Sequence, residues 1–102
     1  AMIVCDLPYN VPIDGHVSGN GRVRHREFAC ASGEMSPAEF TAFQRAIFRM
    51  CVRFSVDGSI HYQFMDWRHL REILDAADGI YTEFKQPLVW NKRSAGQGAF
   101  YR

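Results

Sequence analysis

The sequence predicts an α/β protein in which a mostly parallel sheet carries helices on its faces. Three observations predict it. Met2-Ile3-Val4-Cys5 is an unbroken apolar run, the pattern of a strand buried on both faces of a parallel sheet. Two later segments carry apolar residues at helical spacing. An alternating, strand-like run lies between those two segments, and strands separated by helices imply right-handed crossovers and parallel pairing.

The elements follow in order. The first strand ends in Asp6-Leu7-Pro8-Tyr9, and the carboxyl ends of strands are where open α/β sheets place their chemistry. A plain turn could also carry those four residues. Residues 10–35 contain Pro12, Gly15, Gly19, Gly21 and Gly33 among polar residues and read as a long loop. Loops of that length are uncommon unless functional or mobile, and this one gathers His16, Arg22, Arg24, His25 and Arg26. Ser36-Pro37-Ala38-Glu39 starts a helix: Ser36 caps, Pro37 suits the first helical position and Glu39 completes a capping box. Phe40, Phe43, Ile47, Met50 and Phe54 form its apolar stripe, and it should stop near Ser55, before Asp57-Gly58.

Residues 59–65 alternate, with Ile60, Tyr62 and Phe64 on one face, which predicts the second strand. Asp66 can cap a second helix with Leu70, Ile73, Leu74 and Ala77 inward, ending at Asp78-Gly79. Residues 80–91 read as extended and broken at Pro87, with Leu88-Val89-Trp90-Asn91 as a third strand. The tail from Lys92 to Arg102 is glycine-rich and basic. Neither a repeat nor a linker divides the chain, so residues 1–102 read as a single domain. Ala1 before Met2 reads as an added residue.

Bulk composition narrows the function classes. A hydrophobic fraction of 47% with 14% aromatics supports a packed core and excludes disorder. Twelve Lys and Arg against eleven Asp and Glu leave a net charge of +1, so any polyanion contact must come from local clustering. Cys5, Cys30 and Cys51 are odd in number and lack zinc-ligand spacing. They read as reduced, mostly buried thiols of a cytoplasmic protein, and no metal site is expected. No apolar run approaches the about 20 residues of a membrane span, and no signal peptide is evident.

Asp6-Leu7-Pro8-Tyr9, followed by Asn10, resembles the catalytic tetrapeptide of the DNA amino-methyltransferases, Asp/Asn/Ser-Pro-Pro-aromatic at the end of a buried strand. The resemblance continues through Asp57-Gly58-Ser59-Ile60, Met65-Asp66-Trp67-Arg68, Val89-Trp90-Asn91-Lys92 and the Gly96–Arg102 tail, in order over nearly the whole chain. It is similar above all to phage and bacterial methylases that place this tetrapeptide before the cofactor motif. The resemblance implies a partial Rossmann-like methyltransferase fold, S-adenosylmethionine as methyl donor, DNA as partner and a base flipped out of the duplex. Asp6 would accept one N–H of the base amino group and the Leu7 carbonyl the other, freeing the nitrogen lone pair to attack the sulfonium methyl. Pro8 biases Leu7 out of the helical region and so helps aim that carbonyl. Tyr9 would stack on the base. Asp at the first position is typical of adenine-N6 enzymes and favours adenine.

The chain departs from the family twice. Leu7 replaces the first proline, which is tolerable where the contribution is a main-chain carbonyl. The glycine-rich turn that holds S-adenosylmethionine is missing: Gly19-Asn20-Gly21 follows a loop, not a strand. The expectation is therefore the catalytic half of a methylase, cut off before its cofactor half and inactive alone, with the cofactor-binding residues unknown.

Asn10, Arg22, Arg24, Arg26 and Lys92 are the candidate nucleic-acid contacts. A solvated loop explains the arginines equally well. His61 reads as a satisfied core histidine, and Trp67 and Trp90 as packing anchors. The competing function is a non-catalytic, stand-alone derivative of the fold that serves as a binding or assembly module. Without a neighbouring half, Met2 to Asp6 would be an exposed edge, which predicts a homodimer or strand-swapped assembly.

Overall fold

A computed structural model describes residues 1–13 and 26–91. Among them the order is strand β1 (Met2–Cys5), helix α1 (Pro37–Arg53), strand β2 (Ile60–Gln63), a 3-10 turn (Trp67–His69) and helix α2 (Leu70–Ala77). β1 and β2 pair in parallel, with Met2 opposite Ile60 and Cys5 opposite Gln63. The described residues thus form a small α/β fold with a parallel two-stranded sheet.

α1 begins as its sequence dictates. The Ser36 side chain accepts from the Glu39 amide at 3.2 Å, and the Glu39 carboxylate accepts from the Ser36 amide at 2.7 Å. This reciprocal box satisfies two otherwise orphaned donors beside Pro37. Asp66 does cap, but it caps the 3-10 turn that leads into α2, accepting from Arg68 at 3.0 Å. α2 ends where expected: Asp78 closes it and Gly79 follows at φ 70, a left-handed conformation glycine adopts without strain. The Arg45 guanidinium of α1 donates to the carbonyls of Asp75, Ala76 and Asp78, satisfying the end of α2 and tying the helices together.

The core departs from the expected pattern. α1 buries Phe40, Gln44 and Phe48, while Met50 and Phe54 of the expected stripe are exposed. Because α1 is apolar on several sides, hydrophobicity alone did not single out the packed face. Likewise α2 buries Ala76, with Leu70 and Leu74 exposed. Among the described residues there is no third strand: residues 80–91 are irregular, and Leu88, Val89 and Trp90 are exposed. Pro87 interrupts that run, which pairs with neither described strand.

Among the described residues, β1 is covered on one face only. Ile3, Cys5, His61 and Gln63 share the face that meets α1 and Tyr81, as strand alternation requires. The opposite face presents Met2, Val4, Ile60 and Tyr62, which are 67, 56, 49 and 38% exposed. The expectation of burial on both faces is corrected accordingly. No described helix is long and apolar enough to cross a membrane.

Candidate functional site

Parallel pairing fixes the position of the tetrapeptide. Because β1 and β2 run the same way, whatever follows each strand emerges at one edge of the sheet. Asp6-Leu7-Pro8-Tyr9 follows β1 there, and Met65-Asp66-Trp67-Arg68 follows β2. The junction is tight: the Phe64 amide donates to the Cys5 carbonyl at 2.9 Å.

Within the tetrapeptide the Tyr9 hydroxyl donates to the Asp6 carboxylate. Burial holds the Tyr9 proton on, and the bond to Asp6, the Asp6 charge and the nearby Asp66 charge strengthen that hold. Tyr9 is therefore a permanent donor at neutral pH. Asp6 is exposed, and the Leu7 carbonyl accepts no hydrogen bond from any described residue. The edge thus presents a carboxylate, a free carbonyl and an aromatic ring from Asp6, Leu7 and Tyr9, within four consecutive residues.

Trp67 was expected to anchor packing, yet it is 71% exposed, with the Arg68 guanidinium 5.8 Å from its ring. Trp90, 73% exposed, meets Phe64 edge-on at 6.0 Å. Sequence reasoning missed Asp66 and Trp67 as members of this edge. The signal was available: once the strands are parallel, residues after the second must lie beside residues after the first.

Asn10 is 8% exposed and at φ 54. Its side chain accepts from the Gly33 and Met35 amides and donates to the Met35 carbonyl, pinning the end of the long loop beside the tetrapeptide. Gly33, at φ 102, fits this clasp because a Cβ there would lie 2.9 Å from the Pro12 ring. Glu34 accepts from the Ala31 and Ser32 amides, and backbone bonds, first from its own amide and then from Ser32 and Ala31, hold its carboxyl below the usual range. Asn10 therefore builds the loop, and no nucleic-acid contact is assigned to its side chain. Arg26 is exposed and has no described partner in the site. Arg22, Arg24, His16, His25 and Lys92 lie outside the described residues.

Behind the sheet lies a second polar cluster. Ser55 Oγ is 2.8 Å from His61 Nε2, His61 Nδ1 is 3.0 Å from the Tyr81 hydroxyl, and Gln63 Nε2 donates to that hydroxyl at 3.1 Å. Proton counting gives these bonds a direction. Ser55 spends its single hydroxyl proton on the Cys51 carbonyl at 2.7 Å, so it accepts from His61 Nε2–H. His61 Nδ1 then accepts from Tyr81, whose proton burial holds up to about 12. A histidine donating to its serine cannot be that serine's base, so the cluster is structural, and His61 is a satisfied, part-buried histidine as the sequence suggested.

Neither described strand is followed by a glycine, since Gly33, Gly58 and Gly79 lie elsewhere. A glycine cradle for S-adenosylmethionine is therefore not formed by the described residues, which also hold no cluster of metal-ligating side chains. Comparison with protein-family models, with curated proteins and with solved structures returns no match for this chain.

Proposed function

We propose that the chain is the catalytic half of a DNA amino-methyltransferase, acting on adenine N6, in a cytoplasmic protein. The observation that supports this reading best is the tetrapeptide at the carboxyl edge of a parallel pair, with the Asp6 carboxylate, Leu7 carbonyl and Tyr9 ring adjoining. In this reading Asp6 and the Leu7 carbonyl accept the two N–H bonds of an extruded base and Tyr9 stacks on its ring. S-adenosylmethionine is the family's methyl donor. No described residue fits it, so none is assigned to hold it.

Duplexes with a single mispaired 2-aminopurine test the reading, since an already weakened pair costs least to open. Titration with the chain should change the emission of that base, and Tyr9→Ala should diminish the change. Emission that stays constant on every duplex, at protein concentrations where anisotropy reports binding or at the highest attainable, removes the reading.

The second reading, a non-catalytic assembly module, is favoured by the uncovered sheet face of Met2, Val4, Ile60 and Tyr62. It shares the tetrapeptide but predicts no response from the base.

A further inference from the structure

β1 and α1 meet through two sulfurs. Cys5 Sγ and Cys51 Sγ are 3.9 Å apart, although 46 residues separate them in sequence. Both cysteines are free and half-buried, so the contact is within reach of a small reagent from solvent. Cys30 is exposed and stands apart from the pair.

We propose that Cys5 and Cys51 form a redox modification site, at which a small-molecule disulfide oxidises the two thiols to an intramolecular bond between β1 and α1. One thiolate attacks a sulfur of the reagent and expels a thiolate, leaving a mixed disulfide. The second cysteine attacks the protein sulfur of that adduct and expels the other thiolate. Two thiols and one disulfide become one protein disulfide and two small thiols, the two cysteine protons ending on the released thiols. Closure brings the sulfurs from 3.9 Å to about 2.05 Å, a shift within the reach of side-chain rotation.

Either thiol can make the first attack, the other then resolving the adduct, because both are half-buried and in contact. The location gives the bond a consequence. Cys5 is the last residue of β1, its carbonyl is already bonded to the Phe64 amide, and Asp6 follows it directly. A cross-link there fixes the strand end that carries the tetrapeptide, whatever reaction the tetrapeptide serves.

Glutathione disulfide, added to the reduced, folded Cys30→Ser chain, tests the site. Intact mass should fall by about 2 Da for the two hydrogens lost, with no retained glutathione. Proteolysis should yield the Cys5 peptide joined to the Cys51 peptide. In Cys51→Ala on the same background, glutathione should remain on Cys5, because its resolving partner is gone. A stable glutathione adduct on the pair in the Cys30→Ser chain, a bond between two chains, or two thiols still titratable after the unfolded protein has reacted would each overturn the proposal. The readout is mass and connectivity, so it stands or falls independently of methyl transfer.

Discussion

The Tyr9 hydroxyl donates to the Asp6 carboxylate, so the two side chains proposed to grip a base are bonded to each other. That contact occupies Asp6 with one donor and leaves it to be exchanged for the amino group of an arriving ligand. It also separates the two roles of Tyr9, ring and hydroxyl. Tyr9→Phe keeps the stacking surface and releases Asp6, and should leave base binding within a few-fold of the parent. Tyr9→Ala should weaken it by about 1–3 kcal/mol, the usual worth of one base–aromatic stack. Fluorescence titration of a 2-aminopurine duplex separates the two; equal losses in both variants would assign the effect to the hydroxyl.

In a complete enzyme carrying this chain, Asp6→Ala should leave the fold intact and reduce turnover on the order of 10²–10³, the usual cost of one preorganised polar group. The carboxylate is exposed and packs in no core, which is why the fold should survive. Tritium transfer from labelled S-adenosylmethionine, read beside the circular dichroism spectrum, checks both halves of the statement. For the 102 residues alone, calorimetry should detect no micromolar S-adenosylmethionine binding, because the described strands lead into no glycine turn.

Gln44 lies fully buried between Phe40 and Phe48 on α1, and neither its amide nitrogen nor its carbonyl oxygen has a partner among the described residues. Burying unpaired amide groups costs about 1–3 kcal/mol. Gln44→Met preserves length and removes the orphaned groups, so denaturant melts should show a gain of about 1–2 kcal/mol. A loss would mean that the amide is satisfied by something outside the described residues.

Stability should fall on both sides of neutrality. Glu34 and Glu39 are held low by backbone bonds, and Glu72 by its bond to His69 at 3.1 Å. A carboxyl that binds protons less readily folded than unfolded stabilises the fold above the unfolded value, about 4.3. That contribution disappears as pH falls through the lower folded-state values. Tyr81 shifts the other way, from 10.0 to about 12, so its contribution is complete below pH 10.0 and is lost as pH rises towards about 12. Melting temperatures across the full range should show both shoulders. Ser36→Ala, which opens the capping box, should cost about 1 kcal/mol at neutral pH.

Much of this fold was legible because its signals are local. Ser36, Pro37 and Glu39 specify a helix start through bonds made within four residues, and Asp78-Gly79 specify a stop in the same way. The parallel pairing followed from a helix intervening between two short strands. What stayed hidden depends on partners distant in sequence. Which side of α1 faces inward is decided by α2, with His69 against Phe40 and Tyr81 against Phe48, not by the count of its apolar residues, and so Gln44 was passed over. Leu88 to Asn91 has strand composition but pairs with neither described strand. As a candidate, Asp6 to Tyr9 could be singled out because it is a contiguous motif at a strand end. Trp67 could not, since its place at the same edge exists only once two strands are laid side by side.

The sheet's open side leads to the last prediction. β1 turns the N–H and C=O groups of Ala1, Ile3 and Cys5 towards β2, as the bonds from Ile60 to Ala1 and from Phe64 to Cys5 require. Those of Met2 and Val4 therefore face outward, and no described residue pairs with them. The side chains of the same two residues lie on the uncovered apolar face, beside Ile60 and Tyr62. An edge that is both unpaired and apolar recruits another strand, and antiparallel pairing of β1 with its own copy closes it about a two-fold axis. Light scattering coupled to size exclusion should therefore report twice the chain mass of 11.7 kDa. Val4→Lys places a charge on the outward face without disturbing the side packed on α1, and should return the monomer with an unchanged melting transition. A parent chain that elutes as a monomer at high concentration would show that residues outside the described ones already cover this edge.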